Sequence, residues 1–229
     1  MKVALLQYTP EPEFTVALAA RLCYSQVDID ALKDKLSGGD IKNFLDKIMS
    51  LGHQSVLEHA SFTFGVEGIS RVTSHQLVRH RVASYSQQSQ RYVSHKERFA
   101  VVVPPSIAEN AEFAARFEEQ IAALHKAYGY LVEAGVPAED ARYLLPNATE
   151  TKILITMNAR ELLHFFAVRC CERAQWEIRA MAVEMLKLVR PIAPTIFGKA
   201  GPGCLGGPCP EGAMCCGKMA QVREFFQGM

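Results

Sequence analysis

The sequence has no apolar run long enough to span a bilayer, and its opening Met1-Lys2-Val3-Ala4-Leu5-Leu6 has neither the length nor the cleavage site of a secretion signal. A membrane protein is therefore excluded and a cytoplasmic one expected. A disulfide framework is missing too. Seven cysteines is an odd number, two pairs of them are adjacent in sequence (Cys170 with Cys171, Cys215 with Cys216), and reduced thiols are the expectation. With 25 basic against 24 acidic residues, the chain also lacks the excess of positive charge that would coat nucleic acid along its length. The most informative absence is local: no acid occurs between Glu67 and Glu97, while Arg71, Arg79, Arg81, Arg91 and Lys96 all fall there. That segment is expected to meet an anion.

What remains is a composition near globular averages, 49% hydrophobic over 229 residues, enough to bury a core, with neither an internal repeat nor a second domain in view. Met1 to Tyr8 reads as a strand and Glu11 to Tyr24 as a helix. Asp28 to Leu51 reads as two short helices broken at Gly38-Gly39, Ala60 to Val66 as a strand, and Ile69 to His80 as a helix. Ser84 to Gln90 offers hydroxyls and amides without a core face and is taken as a ligand loop. Between Ile107 and Ala134, Phe117, Ile121, Leu124, Tyr128 and Leu131 step by four and three, the stripe of a long amphipathic helix. Thr149 to Met157 alternates as a strand and feeds a helix opened by Asn158 with Glu161 three residues on, a capping-box spacing. A last helix spans Gln175 to Val189. From Gly198 the chain turns rich in Gly, Pro and Cys.

Three groups of residues can carry chemistry. Arg79-His80-Arg81, with Ser89 and Arg91 close behind, sets guanidinium forks beside hydroxyl and amide donors, which suits a phosphate and a pyrimidine edge as well as a solvated basic turn. In His53-Gln-Ser55-Val-Leu-Glu58-His59 the two histidines are six apart, about 240° around a helix, which is wrong for a zinc-binding helix. Ser55 and Glu58 fit a capping box instead, and hence either a plain cap or a helix start facing an anion. Asn158, Arg160 and Arg169 form the third group, Asn158 and Arg169 lying on nearly one helical face, with Arg142 upstream. Cys204, Cys209, Cys215 and Cys216 could in principle ligate zinc, but no tight Cys-x-x-Cys pair is among them, and no metal site is assigned. No cysteine has an activating partner in the sequence that would make it a nucleophile.

The string RHRVASYSQQSQRY resembles the signature of the flavin-dependent thymidylate synthases, arginine-histidine-arginine, then seven residues, then serine. HQSVLEHASFTF upstream, and ARYLLP, NARELLHFF and RAQWEI downstream, accompany it in the family's order. The resemblance covers most of Met1 to Ile196, so residues 1–197 are expected to form the synthase domain and 198–229 a tail. It implies an α/β (α+β) fold with a central mixed, mainly antiparallel sheet flanked by helices, assembled as a homotetramer with sites shared between subunits. It also implies methylation of dUMP to dTMP with FAD as cofactor, and NADPH and 5,10-methylenetetrahydrofolate as cosubstrates, without a cysteine nucleophile. By the same resemblance Gln76, Arg79, Gln87, Ser89, Gln90, Arg91, Arg142 and Arg169 hold dUMP. Ser55, Glu58, Arg79, His80, Arg81, Asn158, Arg160 and His164 hold FAD, and His53 and Arg169 serve the chemistry. Gln87, His164 and Arg173 stand where the family more often has glutamate, asparagine and histidine. Three rivals accompany this reading: a nucleic-acid module using the basic segment, a metal-binding protein using the cysteine tail, and a flavin oxidase without methyl transfer. The near-neutral net charge argues against the first, so no nucleic-acid or membrane partner is expected.

Overall fold

The computed structural model of the chain describes residues 1–93 and 98–229, so Lys96 and Glu97, counted in the acid-free segment, lie outside the described residues. Four strands, β1 (Lys2–Tyr8), β2 (Ser61–Ser70), β3 (Ala83–Gln87) and β4 (Glu150–Asn158), form one sheet in the order β1-β2-β4-β3. The pairings run antiparallel. Thr9 N–H donates to Ser61 O at 2.9 Å at one end of β1, while Met1 lies against Gly68 at the other. The Thr63 and Thr156 hydroxyls meet at 2.9 Å, Arg71 N–H donates to Thr149 O at 3.1 Å, and Gln88 N–H donates to Lys152 O at 3.0 Å. The family resemblance allowed a mixed sheet; every pairing among the described residues is antiparallel.

The helices are α1 (Pro12–Leu22), α2 (Ile29–Ser37), α3 (Ile41–Ser50), α4 (Arg71–Leu77), α5 (Pro105–Ala108), α6 (Ala111–Glu133), α7 (Ala138–Ala141), α8 (Ala159–Arg169), α9 (Trp176–Val189), α10 (Pro194–Phe197) and α11 (Met219–Gln227). Local chemistry explains most of their ends. Asp28 and Asp40 each accept a backbone N–H of the first turn behind them, at 2.8 and 3.1 Å, so α2 and α3 separate at Gly38-Gly39 as the sequence predicts. Asn110 does the same for α6, accepting from Glu112 and Phe113.

Two expectations are corrected. Ser84–Gln90 is not a loop throughout, because β3 takes Ala83–Gln87 and Gln88 continues its backbone pairing. An edge strand is held by its ladder and needs no apolar face, so a polar composition hid it. The helix expected from Ile69 begins instead at Arg71. The strand runs on to Ser70, whose hydroxyl accepts Thr73 N–H at 3.2 Å and caps α4.

Two compact units are defined by their internal contacts, with every boundary but the one between Arg79 and His80 falling inside a strand. In the unit of residues 1–2, 66–79 and 86–153, the stripe of α6 is core-facing: Ile121 and Tyr128 pack with Phe99 and Ala141, flanked by Phe117, Leu124 and Leu131. In the unit of residues 3–65, 80–85 and 154–229, Phe197 meets Phe62 and Phe166 edge to face at 5.4 and 6.0 Å, under α8 and α9. The tail belongs to that unit. Val222 and Phe226 of α11 are buried, Arg190 donates to Phe226 O and Ala200 O at 3.0 and 2.9 Å, and Arg223 donates to Cys204 O and Gly207 O at 3.0 and 2.6 Å.

Glu13 of α1 spans 182 residues of sequence to cap α10. It accepts the Thr195 N–H at 2.5 Å, the Thr195 hydroxyl at 2.9 Å and the Ile196 N–H at 3.2 Å. Because Glu13→Ala strands all three donors, we expect it to cost about 1–3 kcal/mol. The check is the midpoint of urea unfolding followed by circular dichroism, and an unchanged midpoint would show that the cap carries no weight.

Candidate active site

Each unit gathers part of the candidate set. In the unit built on α8, a cavity of about 610 Å³ is lined by Gln54, Glu58, Val82, Asn158, Arg160, Glu161, Leu163, His164 and Ala167. Four residues of the FAD set, Glu58, Asn158, Arg160 and His164, thus share one wall. The strand-to-helix junction places them: Asn158 ends β4, its side chain accepts Glu161 N–H at 2.9 Å, and α8 then carries Arg160 and His164 past the cavity. Arg160 Nη1 pairs with Glu58 Oε1 at 2.5 Å, both side chains about half exposed. A positively charged fork, a capping amide and an imidazole around a cavity of this size suit a phosphate-bearing, planar heterocyclic cofactor.

Glu58 corrects the sequence reading of its segment. Ser55–His59 is a five-residue 3-10 turn without a side-chain cap, so the expected capping box does not form and no helix start is presented there. The carboxylate is spent on Arg160 instead. Ser55, His53 and Arg81 lie in the same unit, exposed, and do not line the cavity. His53 meets the ring of Tyr24 edge-on at 6.3 Å.

Behind the cavity wall the middle residue of the Arg-His-Arg motif is buried, His80 being 6% exposed, while Arg79 and Arg81 on either side are exposed. His80 Nδ1 lies 3.2 Å from Glu161 Oε1, and its Nε2 accepts the Nε–H of Arg169 at 3.0 Å. Phe165 packs edge-on against the imidazole at 4.9 Å, His164 lies 5.6 Å away, and Tyr85 donates its hydroxyl to His80 O at 2.8 Å. Burial, reinforced by the Arg169 charge and then by His164, pulls the imidazole pKa down to about 4, so the ring is neutral at pH 7. Burial raises the Glu161 carboxyl and the Tyr85 phenol, and lowers Arg169.

The other unit holds the remaining dUMP set. Ser89 Oγ accepts Arg91 N–H at 3.2 Å. Arg91 Nε pairs with Glu139 Oε2 at 2.9 Å, and Arg142 Nε donates to Glu139 O at 3.1 Å, so two of the candidate arginines converge on one residue. Arg71 is pulled below its ordinary range by burial and then by Arg142. Gln87 donates its amide to the Thr151 hydroxyl at 3.2 Å, and Gln76 donates to Val72 O at 3.4 Å.

Sequence reasoning missed two residues here. Glu139 left no signal in its surroundings. Glu161 was visible, but its spacing from Asn158 assigned it to capping. Its backbone does take the cap, whereas its carboxylate turns to His80.

None of the seven cysteines is bonded to another, and burial pushes the Cys170 thiol up to about 12, holding it protonated. Among the described residues no three His, Cys, Asp or Glu side chains are grouped to hold a metal ion.

Comparison with known proteins agrees with the motif. Residues 4–195 match the family described as Thymidylate synthase complementing protein. A flavin-dependent thymidylate synthase of Geobacter sulfurreducens is 67% identical over 230 residues, covering 100% of this chain and 99% of that protein. Another of the same description from Clostridium tetani is 49% identical, covering 99% and 97%, and one from Pyrococcus horikoshii is 46% identical, covering 100% and 98%. With the match running through both units and identity this high across the whole chain, the protein belongs to the thymidylate synthase complementing protein family.

Proposed function

We propose that the chain catalyses the reaction for which its relatives are named, a flavin-dependent thymidylate synthesis in which dUMP becomes dTMP, with FAD as cofactor and NADPH and 5,10-methylenetetrahydrofolate as cosubstrates. The observation that carries this reading is the buried, neutral His80. Its side chain is tied inward to Glu161 and Arg169, while Arg79 and Arg81 on either side are exposed. Glu58, Asn158, Arg160 and His164 line a cavity whose donors fit the cofactor. Bound there, the flavin supplies the hydride.

The chain supplies orientation and charge. Uracil C5 is a weak nucleophile, and Cys170, held protonated by burial, is unsuited to activating it by addition. Arg169 is assigned to the pyrimidine, where a fixed guanidinium stabilises negative charge as it develops. Ser89, Arg91 and Arg142 are assigned to the phosphate and sugar side, with Gln76, Arg79, Gln87 and Gln90 around them. The Glu139 contacts hold Arg91 and Arg142 in place before substrate arrives. Arg79, His80, Arg81 and Ser55 complete the cofactor set, and His53 is assigned beside the flavin. Gln87 keeps a hydrogen-bonding group for a sugar hydroxyl without the carboxylate charge.

Residues 1–197 are proposed as the synthase domain and 198–229 as a tail. The assembly is proposed as a cytoplasmic homotetramer with shared sites. Two observations support this: Tyr92 and Tyr143 stand 80% and 86% exposed in the single chain, and no described helix is long and apolar enough to cross a membrane. Light scattering on the purified protein tests the tetramer, and a monomer at micromolar concentration would overturn it.

An anaerobic assay with FAD, NADPH, dUMP and methylenetetrahydrofolate should yield dTMP by chromatography, and only when FAD is present. Flavin reduction without dTMP would mean an oxidase on this fold. Arg79→Ala should abolish dTMP formation and weaken both flavin and dUMP; a yellow, active variant would remove Arg79 from the site. Ser89→Ala should weaken dUMP by about tenfold, the scale of one hydrogen bond to a charged group, while NADPH oxidation stays measurable. Complete loss of flavin reduction would argue against a binding role for Ser89.

A further inference from the structure

We infer that Glu161 is a positioning residue for Arg169: its carboxylate fixes the proton of His80 on Nδ1, leaving Nε2 as the acceptor that holds the Arg169 guanidinium. The inference rests on the reading above that Arg169 faces the pyrimidine.

The geometry argues it in three steps. Arg169 Nε–H is always a donor, so Nε2 of His80, 3.0 Å away, is an acceptor and carries no proton. A neutral imidazole then bears its proton on Nδ1, which lies 3.2 Å from Glu161 Oε1. Were the proton on Nε2, two donors would face each other across 3.0 Å and Arg169 would have to move. The ring has little freedom to avoid this, because Phe165 packs against it and Tyr85 holds the backbone carbonyl of the same residue.

The carboxylate is not accounted for by helix capping. Asn158 alone caps the Glu161 N–H, and Glu161 is 9% exposed with its side chain directed to His80. Nor is the arrangement a simple salt bridge, since a neutral ring stands between guanidinium and carboxylate. What the ring passes on is direction. Glu161 sets the tautomer, the tautomer sets which nitrogen accepts, and the accepting nitrogen aims the fork.

The FAD-loaded protein, labelled with ¹⁵N-histidine, tests this through two variants. In the wild type the His80 resonances should show Nδ1 protonated and Nε2 bare. Glu161→Gln retains an acceptor oxygen, so it should keep that pattern and bind dUMP within about threefold of wild type. Glu161→Leu removes the acceptor, so it should move the proton to Nε2 and, read on protein saturated with FAD, weaken dUMP by about tenfold or more, the scale of one hydrogen bond to a charged group.

Nε2–H in the wild type would overturn the inference, whatever the variants do. So would wild-type dUMP affinity in Glu161→Leu, or equal damage from Glu161→Gln and Glu161→Leu. Arg169→Ala separates the two readings. If dUMP affinity survives in Arg169→Ala, the assignment of Arg169 to the pyrimidine fails; if it falls there and not in Glu161→Leu, only the relay fails.

Discussion

The imidazole of His80 is the constraint on which the candidate site depends. A buried polar ring must satisfy both nitrogens, and here one is satisfied by a carboxylate and the other by a guanidinium, each from a different end of α8. Glu161 sits in the first turn of that helix and Arg169 at its last residue, so a single side chain reaching in from the Arg-His-Arg segment registers the helix at both ends. The cavity residues Arg160 and His164 lie on the same helix, Arg160 next to Glu161 and His164 between Glu161 and Arg169. Their placement follows from that registration.

The same economy appears elsewhere. Glu13 joins α1 to α10 through three donors, and Glu139 gathers Arg91 and Arg142. Glu13 toward α10, and Glu139 toward Arg91, each use a carboxylate distant in sequence to organise groups that local propensity alone would leave unfixed, while Arg142 is held by the Glu139 backbone carbonyl three residues away. Such long-range acids are conditional. They stabilise only where their partners are already near, which is why they specify geometry more than they drive folding.

Their remoteness also decides what could be read from the sequence. The α6 stripe of Phe117, Ile121, Leu124, Tyr128 and Leu131 was legible because periodicity is a local record of which face is buried. Thr149 to Met157 was legible for the same reason, the alternation reappearing as buried Thr151, Ile153, Ile155 and Met157. β3 was not, since a short, largely polar edge strand is specified by its neighbour's backbone and not by its own pattern. Within the site, residue types and spacing pointed to Arg79, His80, Asn158 and Arg160, but not to the direction of any side chain. Ser55-x-x-Glu58 and Asn158-x-x-Glu161 are the same capping spacing. In the first the glutamate leaves for the guanidinium of Arg160, and in the second for the neutral imidazole of His80, so in neither does the carboxylate turn back to the helix N-terminus.

The Glu58–Arg160 pair has one more consequence. The cavity lining carries its own counter-ion, so an incoming anion would not simply neutralise a waiting cation. An anion binding Arg160 there would displace that carboxylate to water, and the gain would be the difference between two ion pairs. A monoanion trades like for like and gains little. A phosphate dianion, which brings more negative charge to the guanidinium than the carboxylate it displaces, would win the exchange, so the Glu58 carboxylate would act as a threshold that screens ligands by their charge.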